Sequence, residues 1–157
     1  MNRIAQSIRN RLSLRKPQEY SLNILAELAD KLMLKKHTSN PSQEGDFLKE
    51  QLEIVKSAYP TCTDFERSFP SICFALATGV GKTRLMGAFV SYLYLAKGIR
   101  NFFVLAPNLT IYNKLIEDFS NTTHPKYVFQ GIGEFVHNNP VIITGDNYNS
   151  IGNLYKE

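Results

Sequence analysis

Apolar residues recur at helical spacing through the first third of the chain. This spacing places one apolar face on each segment and polar residues on the opposite face, as amphipathic helices do. The pattern predicts three helices, the first around Ile4, Ile8 and Leu12 and ending before Pro17, the others over 18–36 and 46–58. The polar segment 37–45 between the last two is predicted to be a loop.

From residue 71 the pattern changes to continuous apolar runs that end at turn residues. Such runs are typical of buried parallel strands. They alternate with segments of helical spacing. The pattern predicts helices over 82–97 and 109–119, and strands over 71–77, 101–106, 126–130 and 141–144. Alternating strands and helices predict an α/β fold, in which helices flank a parallel sheet and the N-terminal helices pack beside it.

The first predicted strand leads into Leu76–Thr83, which reads LATGVGKT. Glycines at 79 and 81 allow a tight turn whose N–H groups point at phosphate oxygens, while Lys82 reaches the β and γ phosphates. The hydroxyl of Thr83 is suited to Mg²⁺. A strand before the loop and a helix after it favour a P-loop over a glycine turn that happens to precede Lys-Thr. The prediction fails if 71–77 lies anywhere but in the middle of a sheet, or if Lys82 points away from an open cleft.

We therefore predict a site for ATP and Mg²⁺ at this loop. Lys82 is the predicted catalytic residue, since it would stabilise the γ-phosphate, and Thr83 is the predicted Mg²⁺ ligand. The predicted nucleotide contacts in the loop are Thr78, Gly79, Val80, Gly81, Lys82, Thr83 and Arg84. The chain departs from the general P-loop pattern at Leu76, where that pattern has glycine.

The sequence resembles the restriction subunit of type III restriction-modification enzymes, which belongs to helicase superfamily 2. The resemblance is carried by LATGVGKT at 76–83, FFVLAPNLTIYNKLIEDF at 102–119, VIITGDNY at 141–148 and, more weakly, LRKPQ at 14–18. It implies a RecA-like P-loop domain that hydrolyses ATP to move along double-stranded DNA. It also implies a modification methyltransferase subunit as partner and DNA cleavage by the complete subunit.

The resemblance assigns further residues to the site. Gln18 would read the adenine edge, although a solvent-facing glutamine is the alternative. The implied DNA-binding residues are Ala106, Pro107, Asn108, Thr110, Thr144, Gly145 and Asp146. Asn108 is also suited to cap a helix, and both roles are compatible. Asp146 fits an ordinary turn equally well, and a Mg²⁺ role for it ranks below both interpretations.

The family's motors also need an Asp-Glu pair and arginines from a second motor domain. No Asp-Glu dipeptide occurs in the 157 residues. We expect an N-terminal fragment, with a helical segment over 1–69 and the first part of a RecA-like ATP-binding domain over 70–157. Alone it is not expected to be catalytically competent. The alternatives are a non-catalytic nucleotide-binding fragment, another superfamily 2 helicase, or a small P-loop kinase.

Composition adds weaker constraints. The net charge of +4 permits a DNA partner without demanding one. No apolar stretch approaches the roughly 20 residues of a membrane-spanning helix, so we expect a cytoplasmic protein without a membrane partner. The basic segment 3–16 is interpreted as a solvated helix face, with a transit peptide as the alternative. The two cysteines are interpreted as structural thiols, and the three histidines as solvated loop residues without a metal.

Overall fold

The computed structural model describes the backbone of residues 2–34 and 41–151, and their side chains except those of 41–44. This part of the chain contains seven helices: α1 Arg3–Arg11, α2 Lys16–Lys31, α3 Pro41–Ala58, α4 Lys82–Lys97, α5 Leu109–Ser120, α6 Glu134–His137 and α7 Tyr148–Ile151. None of the helices in the described ranges is long and apolar enough to cross a bilayer.

The helices predicted from apolar spacing are confirmed, with shifted ends. Helix α2 ends at Lys31, and the last residues of the predicted helix 18–36 lie outside the described ranges. Helix α3 begins at Pro41, so the loop prediction is wrong for 41–45, while 37–40 are not described. Gly98 ends α4 with a φ of +66°, in the left-handed conformation that is common just past a helix end.

Helices α1 and α2 both pack on α4 and form the main core with it. Ile8, Leu22 and Tyr92 from these three helices are almost completely buried. Asn2 caps α1 by accepting from the N–H groups of the first turn, and its side-chain nitrogen donates to the Tyr92 hydroxyl at 2.7 Å. This hydrogen bond links the start of α1 to the middle of α4.

An aromatic cluster extends this core beyond α4. Phe129 stacks on Phe135 with ring centroids 4.3 Å apart, and Phe119 meets Phe129 edge to face at 5.5 Å. The segment that carries Phe129 approaches α4 at Gly87, where an added Cβ would lie 2.6 Å from the Val128 carbonyl oxygen. Only glycine permits this close approach.

The predicted parallel sheet is wrong for the part of the chain that the structure describes. No residue in 2–34 or 41–151 is in a strand, and 126–130 forms a series of turns. The segments 71–77, 101–106 and 141–144 have no regular secondary structure, and no backbone hydrogen bond joins any two of them within those ranges. The expected α/β, RecA-like architecture is replaced by a helical one.

The reason lies in the difference between an apolar run and a strand. A strand exists only when its N–H and C=O groups pair with a neighbouring strand, and the run itself does not provide that neighbour. Here Phe103 is 89% exposed and Leu105 is 77% exposed, so this run is not the buried segment that its composition predicts. Burial is provided instead by helix packing and by the aromatic cluster.

Candidate functional site

The glycine loop forms a turn that leads directly into α4. Gly79 has a φ of +79° and Gly81 a φ of +90°, both in the left-handed region that favours glycine. Gly81 is the N-cap of α4 and offers no side-chain acceptor to the helix. The first N–H groups of α4 therefore lack a capping side chain, and the positive end of the helix dipole lies at the loop. This backbone geometry suits an anion.

The lysine and threonine of the motif occupy different surroundings. Lys82 is exposed, and its ammonium donates to the Ala77 carbonyl of the same loop at 3.0 Å. Thr83 is half-buried and lines a cavity of about 430 Å³, which we call the loop cavity. The loop cavity is lined by Ser13, Arg15, Gln18, Gly79, Val80, Gly81, Thr83, Arg84, Lys114, Asp118 and Lys126.

Gln18 lies against the glycine loop although it is 63 residues away in sequence. Its Nε2 donates to the Gly81 carbonyl at 2.9 Å, and its Oε1 accepts from the Arg15 N–H at 2.8 Å. The Arg15 guanidinium donates to the Gly79 carbonyl at 3.3 Å. Gln18 is only 2% exposed, so the solvent-facing alternative is wrong. Two side chains thus donate to two carbonyl groups of the loop.

A buried carboxylate also lines the loop cavity. Asp118 is 1% exposed, and its Oδ2 accepts from the Lys114 ammonium at 2.9 Å. Its Oδ1 lies 3.4 Å from His124 Nδ1. Lys126, which also lines the cavity, donates its backbone N–H to His124 Nδ1 at 3.3 Å. The cavity is therefore predominantly cationic, and its one acid is already neutralised by Lys114.

Sequence reasoning missed Lys114, Asp118 and Lys126. The spacing of Lys114 and Asp118 by four residues on a helix predicts their ion pair, because such residues are neighbours on the helix surface. Nothing in the sequence predicts that this pair faces a loop some 30 residues upstream. That position depends on how α5 packs on α4.

The predicted DNA-binding residues lie away from the loop cavity, and none of them lines it. Asn108 caps α5, with its Oδ1 accepting from the Ile111 N–H at 3.0 Å, so the predicted capping role is confirmed. Leu109 at the start of α5 is 76% exposed. Ala106 and Thr144 line one small cavity of about 170 Å³, which brings the two predicted DNA-binding stretches together.

The second of these stretches is built around a turn. Asn147 organises it, because its Oδ1 accepts from the Thr144 N–H at 2.7 Å and its Nδ2 donates to the Ile142 carbonyl at 3.1 Å. Gly145 and Asp146 form the exposed part of the turn. The turn interpretation of Asp146 is therefore confirmed.

The described ranges contain no group of three or more histidine, cysteine or acidic side chains that could hold a metal ion. Cys62 and Cys73 are free thiols, and Cys73 is exposed. The interpretation of His124 as a solvated loop residue is wrong, since its side chain is 24% exposed and faces two carboxylates. His37 lies outside the described residues, and His137 is exposed at the end of α6.

Comparison with known proteins extends over most of the chain. Residues 11–152 match the family described as type III restriction enzyme, res subunit. The chain is also 35% identical over 89 residues to the probable type III restriction-modification enzyme HindVIP Res subunit of Haemophilus influenzae. That match spans 49% of this chain and 17% of the relative's length. No solved structure matches the chain. The family match includes the glycine loop, and the chain belongs to the family of type III restriction enzyme res subunits.

Proposed function

We propose that this chain is the ATP-binding portion of the DNA-dependent ATPase and translocase of a type III restriction endonuclease. The observation that carries the proposal is the loop at the start of α4. Its two left-handed glycines, its uncapped helix N-terminus and its cationic cavity together suit a triphosphate. The family match supports the same assignment.

The nucleotide contacts that we propose are Thr78, Gly79, Val80, Gly81, Lys82, Thr83 and Arg84, with Gln18 supporting the loop. Gln18 acts through its hydrogen bond to the Gly81 carbonyl, which links α2 to the loop. Lys82 is the proposed catalytic cation. Its ammonium has only a neutral carbonyl as acceptor in the described structure, and a phosphate is a stronger, charge-assisted one.

Mg²⁺ accompanies a bound triphosphate and neutralises its charge. Thr83 is the ligand that this chain offers, because its side chain lines the same cavity as the loop glycines. Asp118 also lines the cavity, but its ion pair with Lys114 makes it a poor metal ligand. We therefore assign the metal to Thr83 and the phosphates.

Double-stranded DNA is the proposed polymer substrate. We propose that Ala106, Pro107, Asn108 and Thr110 contact its backbone at the start of α5, together with Thr144, Gly145 and Asp146. The net charge of +4 is compatible with a polyanion. A modification methyltransferase subunit is the proposed protein partner, and the cytoplasm is the proposed location.

We propose that 1–69 is a helical segment leading into the motor and that 70–157 is the first part of the ATP-binding region. A second function, nucleotide binding without catalysis, is favoured for the isolated chain because its sequence contains no Asp-Glu dipeptide. DNA-stimulated ATP hydrolysis by the 157-residue chain separates the two. Hydrolysis above the level of a Lys82→Ala variant supports the ATPase, and its absence supports the binding module.

ATP binding itself is tested by calorimetry with Mg²⁺. Lys82→Ala should abolish measurable binding, because the cation that we aim at the phosphates is removed. Lys49→Ala is the matched control, since Lys49 is 81% exposed on α3 and is not part of the loop cavity. Wild-type ATP affinity in Lys82→Ala would contradict the assignment.

A further inference from the structure

We propose that the exposed face of α1 is a second contact surface for duplex DNA and binds its phosphate backbone through Arg3 and Arg11. The inference rests on the proposed DNA substrate and adds a surface separate from the residues proposed at the start of α5. Two cavities of about 280 Å³ and 320 Å³ lie along this face, and Arg11 lines both of them. We call the two cavities together the α1 groove.

The two arginines are spaced so that they can follow a nucleic-acid backbone. Arg3, Ser7 and Arg11 are exposed, line the first of the two cavities and lie on the same face of α1, because they are four residues apart. At a rise of about 1.5 Å per residue, the Cα atoms of Arg3 and Arg11 are about 12 Å apart along the helix. One strand of duplex DNA carries a phosphate about every 3.4 Å of its axis, so the two guanidinium groups can contact different phosphates.

The charges of Arg3 and Arg11 are not neutralised within the described ranges. Arg3 makes no hydrogen bond or ion pair with any residue in 2–34 or 41–151, and Arg11 donates to the neutral Gly131 carbonyl at 2.8 Å. Arg9, the third arginine of α1, differs because it pairs with Glu19 at 3.1 Å. Two of the three guanidinium groups on α1 therefore lack a carboxylate partner, and a phosphate would supply a charge-assisted acceptor.

The other polar groups of the α1 groove also suit a sugar–phosphate backbone. Ser7 and Gln130 are exposed, and neither side chain makes a hydrogen bond to a residue in the described part of the chain. Hydroxyl and amide groups of this kind often donate to phosphate oxygens. Glu134 is the one acid among the described residues that line the groove. Two arginines against one acid leave a net positive charge, even without Arg84, which we assign to the nucleotide.

The groove favours a duplex over a single strand. Sites for single-stranded nucleic acid combine positive charge with exposed aromatic side chains, on which the bases stack. Tyr127 is the one aromatic residue among the described residues of the groove, and it is only 7% exposed. The groove therefore offers contacts to phosphates and no stacking surface for a base, which fits the outside of a duplex.

Fluorescence anisotropy with a labelled duplex tests the inference on the 157-residue chain over a range of salt concentrations. Arg3→Ala removes one charge, and Arg11→Gln removes another but keeps an amide that can donate to the Gly131 carbonyl. Each variant should weaken duplex binding about two- to fivefold, the range of an exposed ion pair. Each should also reduce the slope of log affinity against log salt concentration by about 0.9, the value for one phosphate contact, and the double variant should reduce it by about 1.8.

Arg67→Ala is the matched control. Arg67 is exposed, donates to the Glu66 carbonyl at 3.0 Å and does not line the α1 groove. The variant changes the net charge by the same amount, and its duplex affinity and salt slope should stay at the wild-type values. Thermal unfolding detects any loss of fold, and Arg3→Ala decides the result if Arg11→Gln is destabilised, because Arg3 makes no contact that folding could lose.

Three outcomes overturn the inference. The first is a wild-type affinity and salt slope in both α1 variants, and the second is an equal loss in Arg67→Ala, which assigns the effect to net charge. In the third, a labelled single strand binds as tightly as the duplex and loses the same affinity in the variants, which makes a single strand the partner. Failure of the proposed DNA substrate looks different, because the wild-type chain then does not bind the duplex at all.

Discussion

Two helix N-termini in this protein are built in opposite ways. Helix α4 starts at Gly81, which has no side chain to cap it, and the loop before it contains left-handed glycines. Helix α5 starts after Asn108, whose Oδ1 accepts from the Ile111 N–H. Both ends carry the same partial positive charge from the helix dipole. They differ in whether the protein itself satisfies the first N–H groups.

This difference indicates which end is available to an anion. At α5 one donor is already satisfied, and capping stabilises the helix in the absence of any ligand. At α4 no side chain does so, while Gln18 and Arg15 donate to carbonyl groups of the loop. The α4 terminus lacks a side-chain cap, which leaves its first N–H groups open to an anion, whereas Asn108 caps the α5 terminus.

Among the changes that compare the two helix ends, Gly81→Ala should have the largest effect. A left-handed alanine costs about 1–2 kcal/mol, and the added Cβ would lie 2.7 Å from Gln18 Nε2. A strain of this size in the bound loop corresponds to about a tenfold change in affinity, because about 1.4 kcal/mol is a factor of ten. ATP binding should therefore weaken about tenfold or more. Calorimetry with Mg-ATP measures this loss.

Gly98→Ala is the matched control, because Gly98 is also left-handed and ends the same helix, with open space around it. It should lower stability by about 1 kcal/mol, as expected for a strained C-terminal cap, and leave ATP affinity unchanged. Equal loss of ATP binding in the two variants would show that helix stability, and not loop geometry, governs the site.

Asn108→Ala tests the capped end. Removing the cap should destabilise α5 by about 1 kcal/mol, and ATP affinity should not change. Thermal unfolding measures the first effect, and Asn108→Ser should restore most of it because serine also caps. A large loss of ATP affinity in Asn108→Ala would mean that the two helix ends are not independent.

The smallest effect is expected for Arg15→Ala. Its guanidinium makes one exposed hydrogen bond at 3.3 Å to the Gly79 carbonyl, a weak geometry. ATP affinity should fall about two- to threefold, as for a marginal hydrogen bond. Arg3→Ala, at an exposed arginine on α1, provides the charge-matched control. If both variants weaken ATP equally, net charge explains the effect and the contact to Gly79 does not.

The helices and the loop could be predicted because their signals are local. Apolar spacing predicted α4 and α5 to within a residue, and Gly98 marked the end of α4. The capping role of Asn108 was predictable from its position before an amphipathic run. Each of these features depends on residues within a few positions of one another.

The sheet could not be predicted reliably from apolar runs. The placement of 71–77 in the middle of a sheet was a premise of the P-loop prediction, and the structure contradicts it for the described residues. The loop assignment now depends on the geometry of Gly79 and Gly81 and on the family match, neither of which uses that strand. Asp118 was missed for a related reason, since its neighbours at the loop cavity lie far away in sequence.

The amino-acid sequence by itself determined the amphipathic helices, the glycine turn with Lys82 and Thr83, and membership in the res subunit family. Only the tertiary structure decided that Gln18 holds the loop, that Lys114 pairs with Asp118 beside it, and that Tyr127 is buried without a partner. Helix and turn propensities depend on residues a few positions apart, and the regular geometry of the backbone fixes which of these residues are neighbours. Long-range contacts depend on which helix faces pack together, and many arrangements satisfy the same apolar pattern.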